Sequence, residues 1–168
     1  HTGPDLLPSA FATLASRHPD LRLILVGAEG VANQVAGHPY RERIDAPGHV
    51  TDTQLRKLYR GASVFCMPSR YEGFGLPALE AMATGIPVVA AAAGAIPEVV
   101  GNAALLVSAN DIAALAAALD RVLGDAALSA RLVTARLSRA RPLTSARCAP
   151  PPRPRPLSPA PRRPRPSP

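Results

Sequence analysis

The sequence predicts an α/β fold, a doubly wound and mostly parallel sheet, from three observations. Short apolar runs rich in β-formers recur before residue 141. Segments with apolar residues three and four apart lie between them, and the two kinds of segment alternate. Runs that are apolar at every position suit strands buried on both faces, and their alternation with helices is the pattern of a parallel sheet covered by helices.

Taken in order, Leu6, Leu7, Ala10, Phe11 and Leu14 line one face of a first helix. LRLILVG, Leu21 to Gly27, is a strand closed by glycine. Leu55, Leu58 and Tyr59 mark an amphipathic helix for which Asp52 is the cap candidate. SVFCMPS, Ser63 to Ser69, and IPVVAAA, Ile86 to Ala92, are further buried strands, and AALLV, Ala103 to Val107, is another short one. It runs into NDIAALAAALDRVLG, where Asn110 or Asp111 can cap a helix and Gly124 can stop it. DAALSARLVTARLSRA reads as a last surface helix. From about Arg141 a proline at nearly every second or third position forbids helix and central strand and leaves polyproline-like disorder. The expected organisation is a globular domain over residues 1–140 and a disordered Pro/Arg-rich tail over 141–168. That tail reads either as a ligand for proline-recognising domains or an anionic surface, or as an unselected terminus.

A chain of 168 residues has room for one domain and a moderate core. Its 19 Lys and Arg exceed its 12 Asp and Glu, but all the acids and twelve of the bases precede Arg141. The globular part is therefore neutral and the +7 charge sits in the tail, which argues against a nucleic-acid partner. Cys66 and Cys148 make no disulfide framework, and Cys66, inside an apolar run, is expected as a small buried hydrophobe. No apolar stretch reaches the roughly 18 residues of a membrane helix, and the sequence starts without a basic leader. The expectation is a soluble cytoplasmic protein, with peripheral membrane association left open. His1, His18, His38 and His49 are scattered as surface or loop residues and show no metal-ligand spacing.

The stretch with the most chemistry is SRYEGFGLPALEAMATG, Ser69 to Gly85. The chain leaves a buried strand, turns through Gly73 and Gly75, and enters a helix with Pro77 in its first turn. Proline there loses no hydrogen bond, and the glycines let the backbone approach a ligand closely. The first amides of the helix are donors at its positive end and suit a diphosphate. Glu72 lies before this loop and Glu80 about one helical turn after the helix start, and a carboxylate can accept from both hydroxyls of a vicinal diol. Sugar diol, diphosphate and ribose diol are the layout of a nucleotide sugar.

Glu72 and Glu80 within EGFGLPALE, followed by AMATGIPVV, resemble the donor-site signature of GT-B glycosyltransferases, specifically retaining family 4, the glycosyl transferases group 1. PDLLPSAFATLASRHPDLRLILVG, HVTDTQLRKLYRGASVFCMPS, AAAGAIPEVVGNAALLVSANDIAALAAALDRVL and DAALSARLV resemble the family's C-terminal domain in order and spacing, from about Gly3 to Ala140. The resemblance implies a Rossmann-like, nucleotide-sugar-binding half of a GT-B fold. In it Glu72 is the catalytic-site residue that meets the donor sugar, backbone around Gly73, Phe74, Gly75 and Leu76 meets sugar and phosphate, Glu80 takes the ribose hydroxyls, and backbone around Val50 reads the base. Glu98, in the EVVG segment, is given a structural role at the edge of the site. The implied donor is a UDP- or GDP-hexose, with no metal or other cofactor. The resemblance implies that the acceptor, which it does not identify, would be held by an N-terminal domain outside this chain.

The sequence departs from the family's pattern at its start. The family places a strand ending in glycine and an Arg upstream, and a Lys where Thr2 stands; those cations would neutralise the leaving diphosphate. Arg56, Lys57 and Arg70 do not match these positions. In a doubly wound sheet the first strand is central, so LRLILVG and SVFCMPS are expected to flank a gap and the domain, incomplete at its N-terminus, to be marginally stable. The functional expectation is a donor-binding domain of a retaining glycosyltransferase. The alternative is a non-catalytic truncated fragment with a Pro/Arg-rich tail, at most a binding or interaction protein.

Overall fold

The apolar runs and amphipathic segments become strands and helices in the computed structural model, which describes residues 6–27, 35–68 and 75–140. The order is α1 (Leu6–Ala15), β1 (Leu23–Val26), a 3-10 turn (Arg41–Arg43), β2 (Ile44–Gly48), α2 (Asp52–Gly61), β3 (Phe65–Met67), α3 (Leu76–Thr84), β4 (Val88–Ala91), α4 (Ile96–Val100), a second 3-10 turn (Gly101–Ala103), β5 (Ala104–Val107), α5 (Ile112–Gly124) and α6 (Ala126–Ala140). Glu72, Gly73, Phe74 and the tail lie outside the described residues.

Every described ladder is parallel, as expected, but the strands form two sheets, β1-β2 and β3-β4-β5. Among the described residues no ladder joins β1 to β3, the two strands expected to flank a gap. In the larger sheet side chains alternate between two covered faces, as the pleat requires. Val88 and Ala90 join Phe65, Met67 and Leu106 against α2, α3 and α4, whereas Val89 joins Cys66, Leu105 and Val107 against α1, α5 and α6. β4 is buried along its whole length.

Strand β1 departs from the expectation of burial on both faces. Leu23 and Leu25 pack with Phe11, Ala15, Val35 and Ile44, but Ile24 and Val26 on the opposite face stay 44% and 38% exposed. No described helix covers that face. Helix α1 links the two sheets, giving Leu6, Ala10 and Leu14 to the larger one and Phe11 and Ala15 to the smaller.

Strand β2, IDAPG, is an element that the apolar runs do not announce. It pairs with β1 through Leu23 opposite Ile44 and Ile24 opposite Asp45, then shifts register before Val26 opposite Gly48. Ala46 and Pro47 thus face Leu25 alone, and the proline sits in a bulge on an outer strand, where a missing N–H does no harm.

The caps also refine the reading. Thr51, not Asp52, caps α2: its Oγ1 accepts from Gln54 N at 3.3 Å while Gln54 Oε1 accepts from Thr51 N at 2.9 Å. Asp52 becomes the first helical residue, its carboxylate at the positive end of the dipole. Of the two candidates for α5, Asp111 is the cap, accepting from Ala114 N at 2.8 Å. Gly124 ends α5, and extended Asp125 then caps α6 through Leu128 N at 2.9 Å. Helix α6 is more than a surface helix, because Leu128 and Leu132 are buried and Arg136 Nη1 donates to Met82 O and Ala83 O at the end of α3, at 2.6 and 2.9 Å.

Candidate functional site

Helix α3 leaves the carboxyl end of β3, the side of a parallel sheet on which open α/β folds bind ligands. Its N-cap is Gly75, in the left-handed region at φ 70°, ψ 34°, with no side-chain capping bond. The left-handed backbone favours glycine, and a Cβ at this position would also strike the Cδ1 end of the buried Ile96 side chain, which would have to move. Ala78 N and Leu79 N donate to Gly75 O, and Pro77 has no N–H. Among the described residues, the amides at the helix mouth without an intrahelical acceptor are therefore those of Gly75 and Leu76. Leu76 is exposed and Gly75 buried.

Glu80 lies one turn further along α3 and is exposed. Its Oε2 is 3.4 Å from the Tyr59 hydroxyl, which is also 3.4 Å from Pro77 O. Tyr59 is in the last turns of α2, 7% exposed, with its ring packed edge-on against Phe65 at 5.6 Å. The phenol stays buried in the core, and its hydroxyl reaches α3 at Pro77 and Glu80. Burial, and then the Glu80 carboxylate, raise the Tyr59 pKa well above its ordinary value, so the group is a neutral donor.

Val50 is half-buried in the short link between β2 and the Thr51 cap, also at a carboxyl end. Gly75, Leu76 and Glu80 are thus gathered on one helix, while Glu72, Gly73 and Phe74 fall outside the described residues. Glu98 is exposed on α4. Sequence reasoning counted Tyr59 as an apolar position and missed its hydroxyl contact. The signal was its amphipathic character, since a buried tyrosine needs a partner for its oxygen.

Two histidines make local polar contacts. His38 Nε2 donates to Pro8 O at 3.0 Å and Nδ1 accepts from Tyr40 N at 3.1 Å, and His18 Nε2 is 2.8 Å from Asp120 Oδ1. Cys66, expected to be buried, is half-buried against the core under α1, and desolvation pushes its thiol up to about 12, which favours the protonated form. Among the described residues no group of three or more His, Cys, Asp or Glu could hold a metal ion, and no helix is long and apolar enough to cross a membrane. A shallow surface depression lies between Leu6, Pro68, Ala91, Val107 and the turn before α5; neither Gly75 nor Glu80 lines it.

The family described as "Glycosyl transferases group 1" matches residues 1–137. Mannosylfructose-phosphate synthase from Agrobacterium fabrum is 39% identical over an alignment 95 residues long, with 49% of this chain and 21% of that protein covered. The Anabaena protein HepE, solved in complex with UDP-glucose, superposes with a TM-score of 0.74 at 25% identity, over 84% of this chain and 41% of that one. The C-terminal domain of a glycosyl transferase group 1 family protein from Francisella tularensis gives a TM-score of 0.75 at 24% identity over 86% of this chain and 80% of that one, a likeness of fold. The chain spans about a fifth of the curated relatives' length.

Proposed function

The chain belongs to the glycosyl transferases group 1 family, and on that premise we propose that residues 1–140 are the donor-binding domain of a retaining, family 4 glycosyltransferase. The intact enzyme transfers a hexose from a UDP- or GDP-sugar to an acceptor hydroxyl. The observation that carries this reading is the pairing, on one helix, of the Gly75 and Leu76 amides with an exposed carboxylate at Glu80. Glu80 is four helical steps beyond Leu76, about 6 Å along the axis, a spacing that fits a diphosphate on the helix mouth and a ribose diol beside it. The UDP-glucose complex of HepE supports the choice of ligand class.

In this reading the helix start and the loop before it stabilise charge on the diphosphate as the glycosidic bond breaks. Glu72 and the Gly73–Phe74 backbone meet the sugar, backbone near Val50 meets the base, and the acceptor attacks the same face from which the diphosphate departs. The donor's own phosphate takes the acceptor proton, so no side chain acts as general base and no metal is assigned to the site.

Calorimetric titration of the chain with UDP-glucose and with GDP-mannose tests the assignment. Glu80→Ala should weaken the preferred donor at least about tenfold, the loss of one or two hydrogen bonds to a charged group. Equal affinity of both proteins would remove Glu80 from the ribose. A second reading, in which the chain binds donor without transferring sugar, is favoured by the two separate sheets. Sugar transfer catalysed by the 168-residue chain alone would refute it.

A further inference from the structure

We infer that Tyr59 is a positioning residue for the donor: its hydroxyl holds the Glu80 carboxylate in the orientation that accepts a ribose diol, an inference that rests on the donor-site reading. A phenol has one proton to donate, whereas a carboxylate offers four lone-pair sites. The Tyr59 hydroxyl lies 3.4 Å from Glu80 Oε2 and 3.4 Å from Pro77 O, so its one proton can be directed to either of two acceptors on the same helix, and a small closing movement would shorten the contact to Glu80. Both acceptors belong to the stretch of α3 that includes the candidate diphosphate amides and the candidate ribose ligand. A hydroxyl bond to Oε2 leaves Oε1 and the second lone pair of Oε2 for the two hydroxyls of a diol.

The two residues differ in the freedom they bring. Glu80 is exposed and would otherwise rotate among its rotamers, whereas Tyr59 is buried and wedged against Phe65. A hydrogen bond from the fixed partner to the mobile one limits the conformations that Glu80 must give up on binding, which is how preorganisation gains affinity. The phenol is kept neutral by burial and by the carboxylate beside it, so it remains a donor throughout the neutral range. A tyrosine that only filled the core would be served equally well by phenylalanine.

The test removes the hydroxyl and keeps the ring. The full chain and its Tyr59→Phe, Glu80→Ala and double variants are titrated with UDP and GDP, each beside its 2′,3′-dideoxy analogue. The wild-type chain should prefer the nucleotide with the diol. Tyr59→Phe should weaken that nucleotide about fivefold, the scale of one net hydrogen bond, and leave the dideoxy analogue unchanged. In the Glu80→Ala background it should have no effect. A purely structural role would lower affinity for both nucleotides equally, or for neither, and would overturn the inference. The readout that needs no nucleotide is the Tyr59 13Cζ resonance at pH 7, which should shift in Glu80→Ala; an unmoved resonance would show that the two groups are not coupled and would also overturn it. Absence of a diol preference in the wild-type chain, with the resonance still shifting, would instead overturn the donor-site reading and the positioning role with it.

Discussion

Strands β1 and β4 are both four-residue apolar runs, LILV and VVAA, yet they end in different environments. β4 is the middle of a three-stranded sheet with helices on both faces, and all four residues are buried. β1 has a ladder on one side and a described cover on one face, so Ile24 and Val26 remain open while Leu23 and Leu25 pack. An apolar run states what a strand can tolerate, and its neighbours decide how much of that is used.

Charge placed in each strand should break the comparison most sharply. Val89→Asp puts an unpaired carboxylate at a fully buried position and should cost more than about 4 kcal/mol, enough to unfold the chain, whereas Ile24→Asp should cost less than about 1 kcal/mol. Urea titration followed by circular dichroism measures both, and similar costs would mean that the β1 face is covered in solution. Next in size is Gly75→Ala. The left-handed conformation and the clash with Ile96 together should destabilise by about 2–4 kcal/mol in thermal melts, with the damage confined to the larger sheet.

A smaller effect should come from the brace between α6 and α3. Arg136→Ala removes the donations to Met82 O and Ala83 O and should cost about 1–2 kcal/mol without changing the fold. Cys66 gives the smallest effect at neutral pH. Its thiol is raised from 9.0 to about 12 in the folded chain, so folding favours the protonated form. The associated stability is complete below about pH 9 and is lost as pH rises toward 12. At pH 8, peptide mapping after iodoacetamide should show Cys66 reacting about a thousandfold more slowly in native buffer than in urea, because the thiolate fraction is depleted by about that factor.

The larger sheet was more legible than the smaller one for a physical reason. β3, β4 and β5 are dense in apolar residues because both of their faces are covered, and the helices α1, α2, α5 and α6 show their apolar stripes at the expected spacing. β2 could not be read in the same way: Asp45 and Pro47 sit on an outer strand with a bulge, where the partner strand and not the side chains defines the element. α4 is a single short turn, Ile96–Val100, below the length at which periodicity is visible. In the site, the Gly75 turn and the position of Glu80 were legible because glycine, proline and glutamate each carry a local constraint. The Tyr59 contact was not, since it joins residues 21 apart on different helices. The cap moved from Asp52 to Thr51 because the capping box also needs Gln54 three residues on.

The central claim is that the donor occupies the mouth of α3, and amide chemical-shift mapping of the isotope-labelled chain with UDP-glucose and with GDP-mannose tests it most directly. The largest shifts should fall on Gly75, Leu76 and Glu80, with a second set near Val50, and the donor concentration at which they reach half their full size should rise about tenfold in Glu80→Ala. Shifts centred instead on Ser108 to Asp111, beside the shallow depression, or on β1, would contradict it.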